Sequence, residues 1–211
     1  MNEQLSFEFV ESPEWSRNLA VFDLETTGLD LREARIVTAC AVQIDQDGQI
    51  TGPNQEWLAD PGIEIPEAAS NVHGVTTEIA RANGRAAKDV VSELLDTLNG
   101  FFAKGLPVVA FNAPYDFTIL HYEALRHGLE PIQHPMPVID PMVLDKYVDT
   151  YRSGKRTLEV ASKIYGVKLE DAHNATADAV AAGRVAQAIA KKYAEKLPDD
   201  VVALHLSLIH I

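Results

Sequence analysis

The sequence predicts a mixed α/β domain, and two patterns support this prediction. Three extended apolar segments come first, at residues 19–22, 36–44 and 50–58. Beyond residue 90, apolar residues recur at helical spacing, and short apolar strands alternate with helices. Strands in succession followed by alternating helices and strands are typical of a mixed sheet flanked by helices.

The first three strands are predicted to form an antiparallel meander. The second strand is rich in β-branched residues and ends before the pair Asp47-Gly48, which is a turn signal. A third strand then completes a hairpin. A loop with proline and glycine follows at residues 60–66, and a short helix is predicted near Ala68.

The second half of the chain is predicted to cross over to parallel strands. Gly105 ends the first long helix, and Pro114 suits the first position of the next one. The predicted strands lie at residues 107–111 and 138–139, and the predicted helices at residues 90–102 and 114–127, from Pro141, from Thr157, and at residues 176–196.

One folded domain over residues 18–198 is expected from the 211 residues. Residues 1–17 are polar and are predicted to be a flexible N-terminal extension, and residues 199–211 form an apolar tail to which the pattern assigns no role. A composition of 46% hydrophobic and 23% charged residues excludes a disordered chain. No apolar run approaches the roughly 20 residues of a membrane helix, and no signal peptide precedes the domain, so a cytoplasmic protein without membrane association is expected.

The charge balance restricts the partners that the protein can hold. With 18 basic and 31 acidic residues, the net charge is −13. Tight binding to duplex nucleic acid relies on many positive contacts to phosphate, and so this acidity disfavours it. Binding of any polyanion then requires another source of positive charge, such as divalent metal ions. The single cysteine, Cys40, lies in an apolar run and is predicted to be a buried, reduced thiol.

Two carboxylates follow the first strand. Asp23 and Glu25 are two residues apart, and alternate residues of a strand point to the same face, so both are expected to project together. Two solvated side chains at a strand end would look the same. The following Thr26-Thr27-Gly28 adds hydroxyl groups and a flexible backbone that allow a substrate to approach closely.

Two further acids and a histidine complete the candidate site. Asp116 is predicted in the first turn of a helix, where an acid also simply complements the helix dipole. His173 and Asp178 are five residues apart, about 140° around a helix, so His173 is expected on the loop before the helix, with Asn174 or Thr176 as the cap. Four converging acids without a thiol cluster favour Mg²⁺ or Mn²⁺.

These residues resemble the DEDDh 3′-to-5′ exonucleases, similar to the exonuclease part of the DNA polymerase III epsilon subunit (DnaQ-like). The resemblance covers about residues 18–195. It rests on an ordered set of motifs, which are Val21 to Leu29, His73 to Thr76, Asn112 to Asp116, Asp140, and His173 to Asp178. Such an ordered set is more specific than any single motif.

The resemblance implies a ribonuclease H-like fold and a two-metal phosphodiester hydrolase. Asp23, Glu25, Asp116 and Asp178 are then expected to hold two Mg²⁺ or Mn²⁺ ions, and His173 to take the proton of the attacking water. The terminal-nucleotide pocket is expected to be lined by Thr26, Gly28, Leu29, His73 and Asn112. The implied product is a nucleoside 5′-monophosphate.

The expected substrate is the 3′ end of single-stranded or frayed DNA, in a DNA replication or repair role, with a polymerase partner or a homodimer as further possibilities. An exonuclease of the same fold acting on RNA or oligoribonucleotides is the first alternative. A catalytically silent nucleic-acid or polymerase-binding module is the second. The basic segment Arg152-Ser153-Gly154-Lys155-Arg156 either steers the phosphate backbone toward the metals or is a solvated loop, and the neighbouring Tyr151 either stacks a base or packs.

Overall fold

A computed structural model describes residues 11–169 and 173–209. Its centre is one seven-stranded mixed sheet with the order β5-β4-β2-β1-β6-β7, in which β3 pairs with β2. The strands are β1 (Leu19–Thr26), β2 (Ile36–Ile44), β3 (Ile50–Thr51), β4 (Glu56–Asp60), β5 (Arg85–Ala86), β6 (Val108–Val109) and β7 (Val138–Ile139). Strand β2 is antiparallel to β1, β3 and β4, whereas β6 is parallel to β1 and β7. The predicted mixed α/β fold is therefore confirmed.

Helices cover both faces of this sheet. They are α1 (Glu67–His73), α2 (Thr77–Asn83), α3 (Ala87–Ala103), α4 (Ala113–Arg126), α5 (Pro141–Val148), α6 (Leu158–Tyr165), α7 (Ala175–Lys192) and α8 (Val201–Ile209). Two short 3₁₀ helices lie at Glu14–Ser16 and Ala194–Lys196. In the described ranges 11–169 and 173–209, no helix is both long and apolar enough to cross a membrane.

The alternation of side chains along β1 divides the core into two layers. Leu19 and Val21 face α7 and pack in a cluster with Val185 and Ile189 of that helix. Ala20, Phe22 and Leu24 point the other way, into a cluster with buried residues of α3 and α4. Burying apolar side chains on both faces of the central strand is what holds the helical layers to the sheet.

Three details differ from the sequence prediction. The third predicted strand is divided into β3 and β4, because Gly52 has a φ of +80° and Pro53 has no N–H to donate to a ladder. Helix α2 and strand β5 were not predicted, although Thr76 is an N-cap that accepts a hydrogen bond from the N–H of Ile79. The predicted strand at residues 107–111 pairs regularly only at Val108–Val109.

Both ends of the described chain pack against the domain. Residues 1–10 of the predicted extension lie outside the described residues, but Trp15 is buried and its Nε1 donates to the carbonyl of Pro198 at 3.1 Å. In the apolar tail, α8 buries Leu204, and Nδ1 of His205 lies within 3.2 Å of the backbone of Val138. The packed region therefore begins before Leu19 and extends beyond Pro198.

Candidate active site

The carboxyl end of β1 places Asp23 and Glu25 on one side of the sheet. Both continue the alternation of Leu19 and Val21, and so they project on the face that α7 covers. Asp23 lies opposite Cys40 in β2, and the ladder is irregular between Glu25 and Thr26. This irregularity ends regular pairing at the point where the chain turns into the loop beyond β1.

Helix α4 brings Asp116 to the same place. Asp116 lies in its first turn and is only 3% exposed, and the backbone of Leu24 partly opposes the rise that burial causes in its pKa. The charge of Asp116 raises the pKa of Asp23, and the charge of Glu25 raises the pKa of Asp116, so this carboxylate lies near both acids of β1.

The start of α4 is held by Asp140, which follows β7. Its carboxylate accepts the N–H groups of Asn112, Ala113 and Met142 at 2.9 to 3.1 Å, and so it caps α4 and α5 together. Asn112, the N-cap residue of α4, has a φ of +65°, a left-handed conformation that asparagine tolerates better than most residues. Asp140 is therefore placed to position Asp116 through the start of α4.

Helix α7 contributes Asp178 in its first turn and lies very close to the sheet. Asn174 is its N-cap, and the side-chain oxygen of Asn174 accepts the N–H groups of Thr176 and Ala177. Asn174 is one of the two residues that the sequence predicted as the cap. Gly183 permits the close approach, because a Cβ at this position would lie 2.5 Å from Cγ1 of Val21 and 2.6 Å from Cδ1 of Ile44. The position of Asp178 relative to the sheet therefore depends on Gly183, because any larger residue there would push α7 outward.

His173 lies on the loop before α7, as its spacing from Asp178 predicts. It has a φ of +72°, its side chain is exposed, and its backbone N–H donates to Oδ2 of Asp178 at 3.1 Å. Glu25, His173 and Asp178 each offer one ligand atom, and these three atoms lie within 4.8 Å of one another. Residues 170–172, just before this histidine, lie outside the described part of the chain.

The four acids share one electrostatic environment. Burial raises the pKa of Asp23 well above its usual value, and the charges of Asp116, Glu25 and Asp178 raise it further. Burial and the charge of Asp178 raise the pKa of Glu25 to about 7. Burial likewise raises the pKa of Asp116 and of Asp178, and for Asp178 the backbone N–H of His173 partly opposes the effect. The charges of Asp116, Glu25 and Asp178 thus all act on Asp23, so the structure brings these four acids near one another.

This donor set fits a hard divalent cation. The carboxylates repel one another, and Oδ1 of Asp178 is buried without a hydrogen-bond partner in the described residues. Carboxylate oxygens are the ligands that Mg²⁺ and Mn²⁺ prefer. A divalent cation at Asp23, Glu25, Asp116 and Asp178 would neutralise the repulsion and supply the partner that Oδ1 of Asp178 lacks.

A cleft of about 600 Å³ adjoins the acids, and Glu25 belongs to both. Its volume is in the range of small-molecule sites. All five residues predicted to line a terminal-nucleotide pocket lie in its wall, which comprises Leu24, Glu25, Thr26, Thr27, Gly28, Leu29, Pro66, Ala68, Ala69, Val72, His73, Asn112 and Tyr115. Leu29 is 86% exposed and Val72 is 50% exposed, so apolar surface is available for a flat ring.

Polar groups in the wall fix its shape. Three oxygen atoms in the wall form a triangle in which every side is 2.9 Å. They are the hydroxyl oxygens of Thr26 and Tyr115 and the carbonyl oxygen of Gly28. Nδ1 of His73 accepts the N–H of Val75 at 3.2 Å, which leaves Nε2 as the ring nitrogen that carries hydrogen in the neutral imidazole. That Nε2 is buried without a hydrogen-bond partner among the described residues.

Sequence reasoning missed two parts of the site. The first is the apolar side of α1: a short helix near Ala68 was predicted, but Ala68, Ala69 and Val72 were not assigned to the cleft that they line. The second is Glu56 in β4, whose carboxylate accepts a hydrogen bond from the hydroxyl of Thr176 and so ties the start of α7 to the sheet. The predicted pocket residue His73 is the last residue of α1 and could have indicated the first part, whereas no sequence signal pointed to the second.

The predicted state of Cys40 is confirmed. The thiol is fully buried, and burial raises its pKa to about 12. It therefore stays protonated at neutral pH and belongs to the core beneath Asp23.

Comparisons with known proteins agree with this geometry. A protein-family model described as "Exonuclease" (RNase_T) matches residues 20–186. The chain is 28% identical over 176 residues to the DNA polymerase III PolC-type protein of Pediococcus pentosaceus, covering 83% of this chain and 12% of that protein. It is 31% identical over 174 residues to the DNA polymerase III subunit epsilon-like protein of Rhodobacter capsulatus, covering 81% of this chain and 23% of that protein. The chain thus spans less than a quarter of the length of these relatives.

A solved structure shares the fold. E. coli exonuclease I in complex with a dA16 oligonucleotide superposes with a TM-score of 0.70 at 18% identity, covering 85% of this chain and 42% of that one. The mixed sheet flanked by helices is the ribonuclease H-like fold that the motifs predicted. Because the family model spans most of the chain, and the DEDDh residues meet in one site, the chain belongs to the DnaQ-like DEDDh exonuclease family.

Proposed function

We propose that this chain is a metal-dependent 3′-to-5′ exonuclease that releases nucleoside 5′-monophosphates from single-stranded or frayed DNA. The observation that carries the proposal is that Glu25 belongs both to the acid cluster and to the adjoining cleft. A 3′-terminal nucleotide in the cleft would then place the phosphodiester bond that joins it to the preceding nucleotide at the acids. Removal of one nucleotide at a time is the expected result.

The proposed roles follow from position. Asp23, Glu25, Asp116 and Asp178 hold Mg²⁺ or Mn²⁺, two ions in all, and the chemistry that these ions supply is stabilisation of charge on the reacting phosphate. The exposed imidazole of His173 accepts a proton from the attacking water. As the water oxygen bonds to phosphorus, the P–O3′ bond breaks, which leaves a new 3′-hydroxyl and a 5′-monophosphate.

The walls of the cleft orient the terminal nucleotide. Hydrogen bonds join Thr26, Tyr115 and the carbonyl of Gly28, so this part of the wall is formed before substrate binds. Leu29 and Val72 offer exposed apolar surface to the base, and His73 lines the same cleft.

The relatives favour DNA over RNA. Two are named as DNA polymerase III proteins, and the solved structure holds a deoxyadenosine oligonucleotide. We therefore propose DNA as the substrate and a replicative polymerase as a partner, and we place the protein in the cytoplasm. Homodimer formation stays a prediction that gel filtration with light scattering would test.

The test is hydrolysis of matched DNA and RNA oligonucleotides, labelled at the 5′ end, with Mg²⁺ or Mn²⁺ and with a chelator. We expect a ladder of products shortened from the 3′ end, faster on single-stranded DNA, and none with the chelator. Asp23→Asn should abolish it. Asp47→Asn is the matched control, because Asp47 is exposed in the β2–β3 turn and away from the acids.

Three results would contradict the proposal. Faster hydrolysis of RNA would favour the oligoribonucleotide alternative. An inactive chain that still binds oligonucleotides would favour a silent binding module. Full activity of Asp23→Asn would remove this carboxylate from the ligand set.

A further inference from the structure

The loop between α5 and α6, residues 149–157, presents an unusually exposed aromatic side chain. Tyr151 is 98% exposed, which is the highest value among the large apolar residues in the described part of the chain. Because this side chain is almost fully exposed, its ring does not stabilise the fold by packing. Its ring is available on both faces for a partner.

A buried ion-pair cluster fixes the backbone around this tyrosine. Asp145 of α5 is fully buried, and its carboxylate pairs with Arg152 and with Arg156, the latter at 2.7 Å. The hydroxyl of Tyr165 donates to the same carboxylate at 2.8 Å. A guanidinium N–H of Arg156 also donates to the carbonyl of Asp149 at 2.6 Å, so the loop is fastened on both sides of Tyr151.

The same cluster changes the interpretation of the basic segment. The guanidinium groups of Arg152 and Arg156 are paired with Asp145, and so they do not steer a phosphate backbone directly. Lys155 is exposed, and its ammonium group has no partner within residues 11–169 and 173–209. Residues 145–157 contain four basic and two acidic side chains, a balance of +2 in a chain of net charge −13. This loop is therefore a local positive site on an acidic protein.

The loop leads directly to the His173 side of the acid cluster. It ends at Thr157, the N-cap of α6, and α6 packs against α7, which carries Asp178. The pKa of Glu159, in the first turn of α6, is lowered mainly by Lys163 and also by the charge of His173. Since eight residues separate Tyr151 from Glu159, the two backbones are at most about 27 Å apart.

The terminal-nucleotide cleft is formed by other parts of the chain than the loop of Tyr151. None of its lining residues belongs to α5, α6 or the loop between them. A strand whose end occupies the cleft and whose phosphate lies at the acids therefore has its preceding nucleotides free to continue toward Tyr151. Stacking on an aromatic ring with a nearby cation is how proteins bind unpaired strands without sequence preference.

We propose that Tyr151 and Lys155 form a second nucleic-acid contact, in which Tyr151 stacks on an unpaired base of the strand behind its 3′ end and Lys155 pairs with a phosphate there. This inference rests on the proposed function for the direction of the strand. Single-stranded substrates are favoured at this contact, because a base within a duplex does not offer its face.

The experiment compares a long and a minimal substrate. A single strand of about 12 nucleotides can span both contacts, whereas the p-nitrophenyl ester of thymidine 5′-monophosphate reaches only the cleft and the acids. For Tyr151→Ala we expect the KM for the oligonucleotide to rise about 5- to 150-fold relative to the KM for the ester, as loss of one stacked base predicts. Tyr151→Phe and Tyr151→Trp should restore the wild-type ratio.

The lysine is tested through salt dependence. Lys155→Ala should weaken oligonucleotide binding, measured by fluorescence anisotropy, and reduce the slope of log Kd against log salt by about 0.7. Lys155→Arg should restore the slope. Lys104→Ala, at an exposed lysine just after α3, should match the wild-type protein in both assays.

The outcomes separate this inference from the proposed function. An unchanged KM ratio in Tyr151→Ala overturns the stacking contact even if the enzyme is fully active. A wild-type chain that binds the oligonucleotide through Tyr151 but hydrolyses neither substrate contradicts the proposed function and supports the contact. Failure of Tyr151→Phe to restore the ratio would assign the loss to the hydroxyl and overturn stacking.

Discussion

The backbone N–H of His173 donates a hydrogen bond to Oδ2 of Asp178, and the two atoms are 3.1 Å apart. This bond ties the exposed histidine loop to a partly buried acid of α7, while Oδ1 of the same carboxylate has no partner among the described residues. One oxygen thus holds the loop, and the other is free for a cation. The position of the candidate proton acceptor is therefore coupled to a candidate metal ligand.

Replacing His173 should affect the rate and spare the fold. Asparagine tolerates the positive φ of this position, and so His173→Asn should keep the loop while lowering kcat by about 10² to 10⁴. It should also remove the acid limb of the pH–rate profile. The control is His121→Asn, at an exposed histidine of α4, which should retain normal kinetics. An unchanged pH profile in His173→Asn would exclude the histidine as the proton acceptor.

Without metal, the acid cluster should make the protein less stable as pH rises. The pKa of Glu25 is about 7 in the folded chain against an ordinary value of 4.5, so the folded state keeps a proton that the unfolded state releases. This contribution to stability is fully present below about pH 4.5 and is lost as pH rises through 7. Thermal unfolding with a chelator at pH 5 and pH 8 measures it.

Two comparisons isolate the effect of Glu25 from other titrations. Glu25→Gln does not titrate, so its melting temperature relative to the wild type should increase by a few degrees between pH 5 and pH 8. Mg²⁺ or Mn²⁺ should stabilise the wild type more at pH 8 than at pH 5, because the cation binds the ionised carboxylates. A difference between the two proteins that does not change with pH would contradict the assigned protonation.

Asp140 should act on activity through the position of α4. Asp140→Ala leaves the N–H groups of Asn112, Ala113 and Met142 without their acceptor. We expect a loss of about 1 to 3 kcal/mol in the free energy of unfolding and a lower affinity for Mn²⁺, since Asp116 follows directly in the first turn of the helix.

A matched control for Asp140 exists in the turn between β2 and β3. There Asp45 accepts the N–H groups of Asp47 and Gln49 at 3.0 and 2.9 Å, far along the chain from the acids. Asp45→Ala should reduce stability without changing the affinity for Mn²⁺. Equal Mn²⁺ affinity in Asp140→Ala and Asp45→Ala would refute the positioning role.

Gly183 should be required for the close packing of α7 against the sheet. Gly183→Ala places a methyl group against Val21 and Ile44, so the helix must move outward. Overpacking of this kind costs about 1 to 3 kcal/mol, and the shift of Asp178 should lower kcat. Gly100→Ala in α3 is the control, because its new methyl group meets nothing within 4 Å, and better helix propensity should stabilise it by up to about 1 kcal/mol. Equal kcat and equal stability in Gly183→Ala and Gly100→Ala would contradict the claim that the close approach of α7 positions Asp178.

The parts of the site that sequence predicted are those set by local rules. Asp23 and Glu25 follow from strand alternation after an apolar run, and the loop position of His173 follows from its spacing to Asp178. The alternation and the spacing involve only a few neighbouring residues. For that reason they are visible without the fold.

The parts that sequence did not predict depend on distant contacts. The approach of Asp116 to the backbone of Leu24 brings together segments 92 residues apart, and the contact of Glu56 with Thr176 joins residues 120 apart. The role of Asp145 in holding both arginines of the basic segment was likewise hidden, because a charged residue inside a helix is usually exposed. Such contacts arise only when the helices dock on the sheet.

The most direct test of the metal-site hypothesis is an anomalous difference map from crystals soaked in Mn²⁺. We expect Mn²⁺ peaks at ligand distance from carboxylate oxygens of Asp23, Glu25, Asp116 and Asp178, with Oδ1 of Asp178 among the ligands. Carboxylates of these residues turned away from one another, or Mn²⁺ bound only elsewhere on the acidic surface, would contradict it.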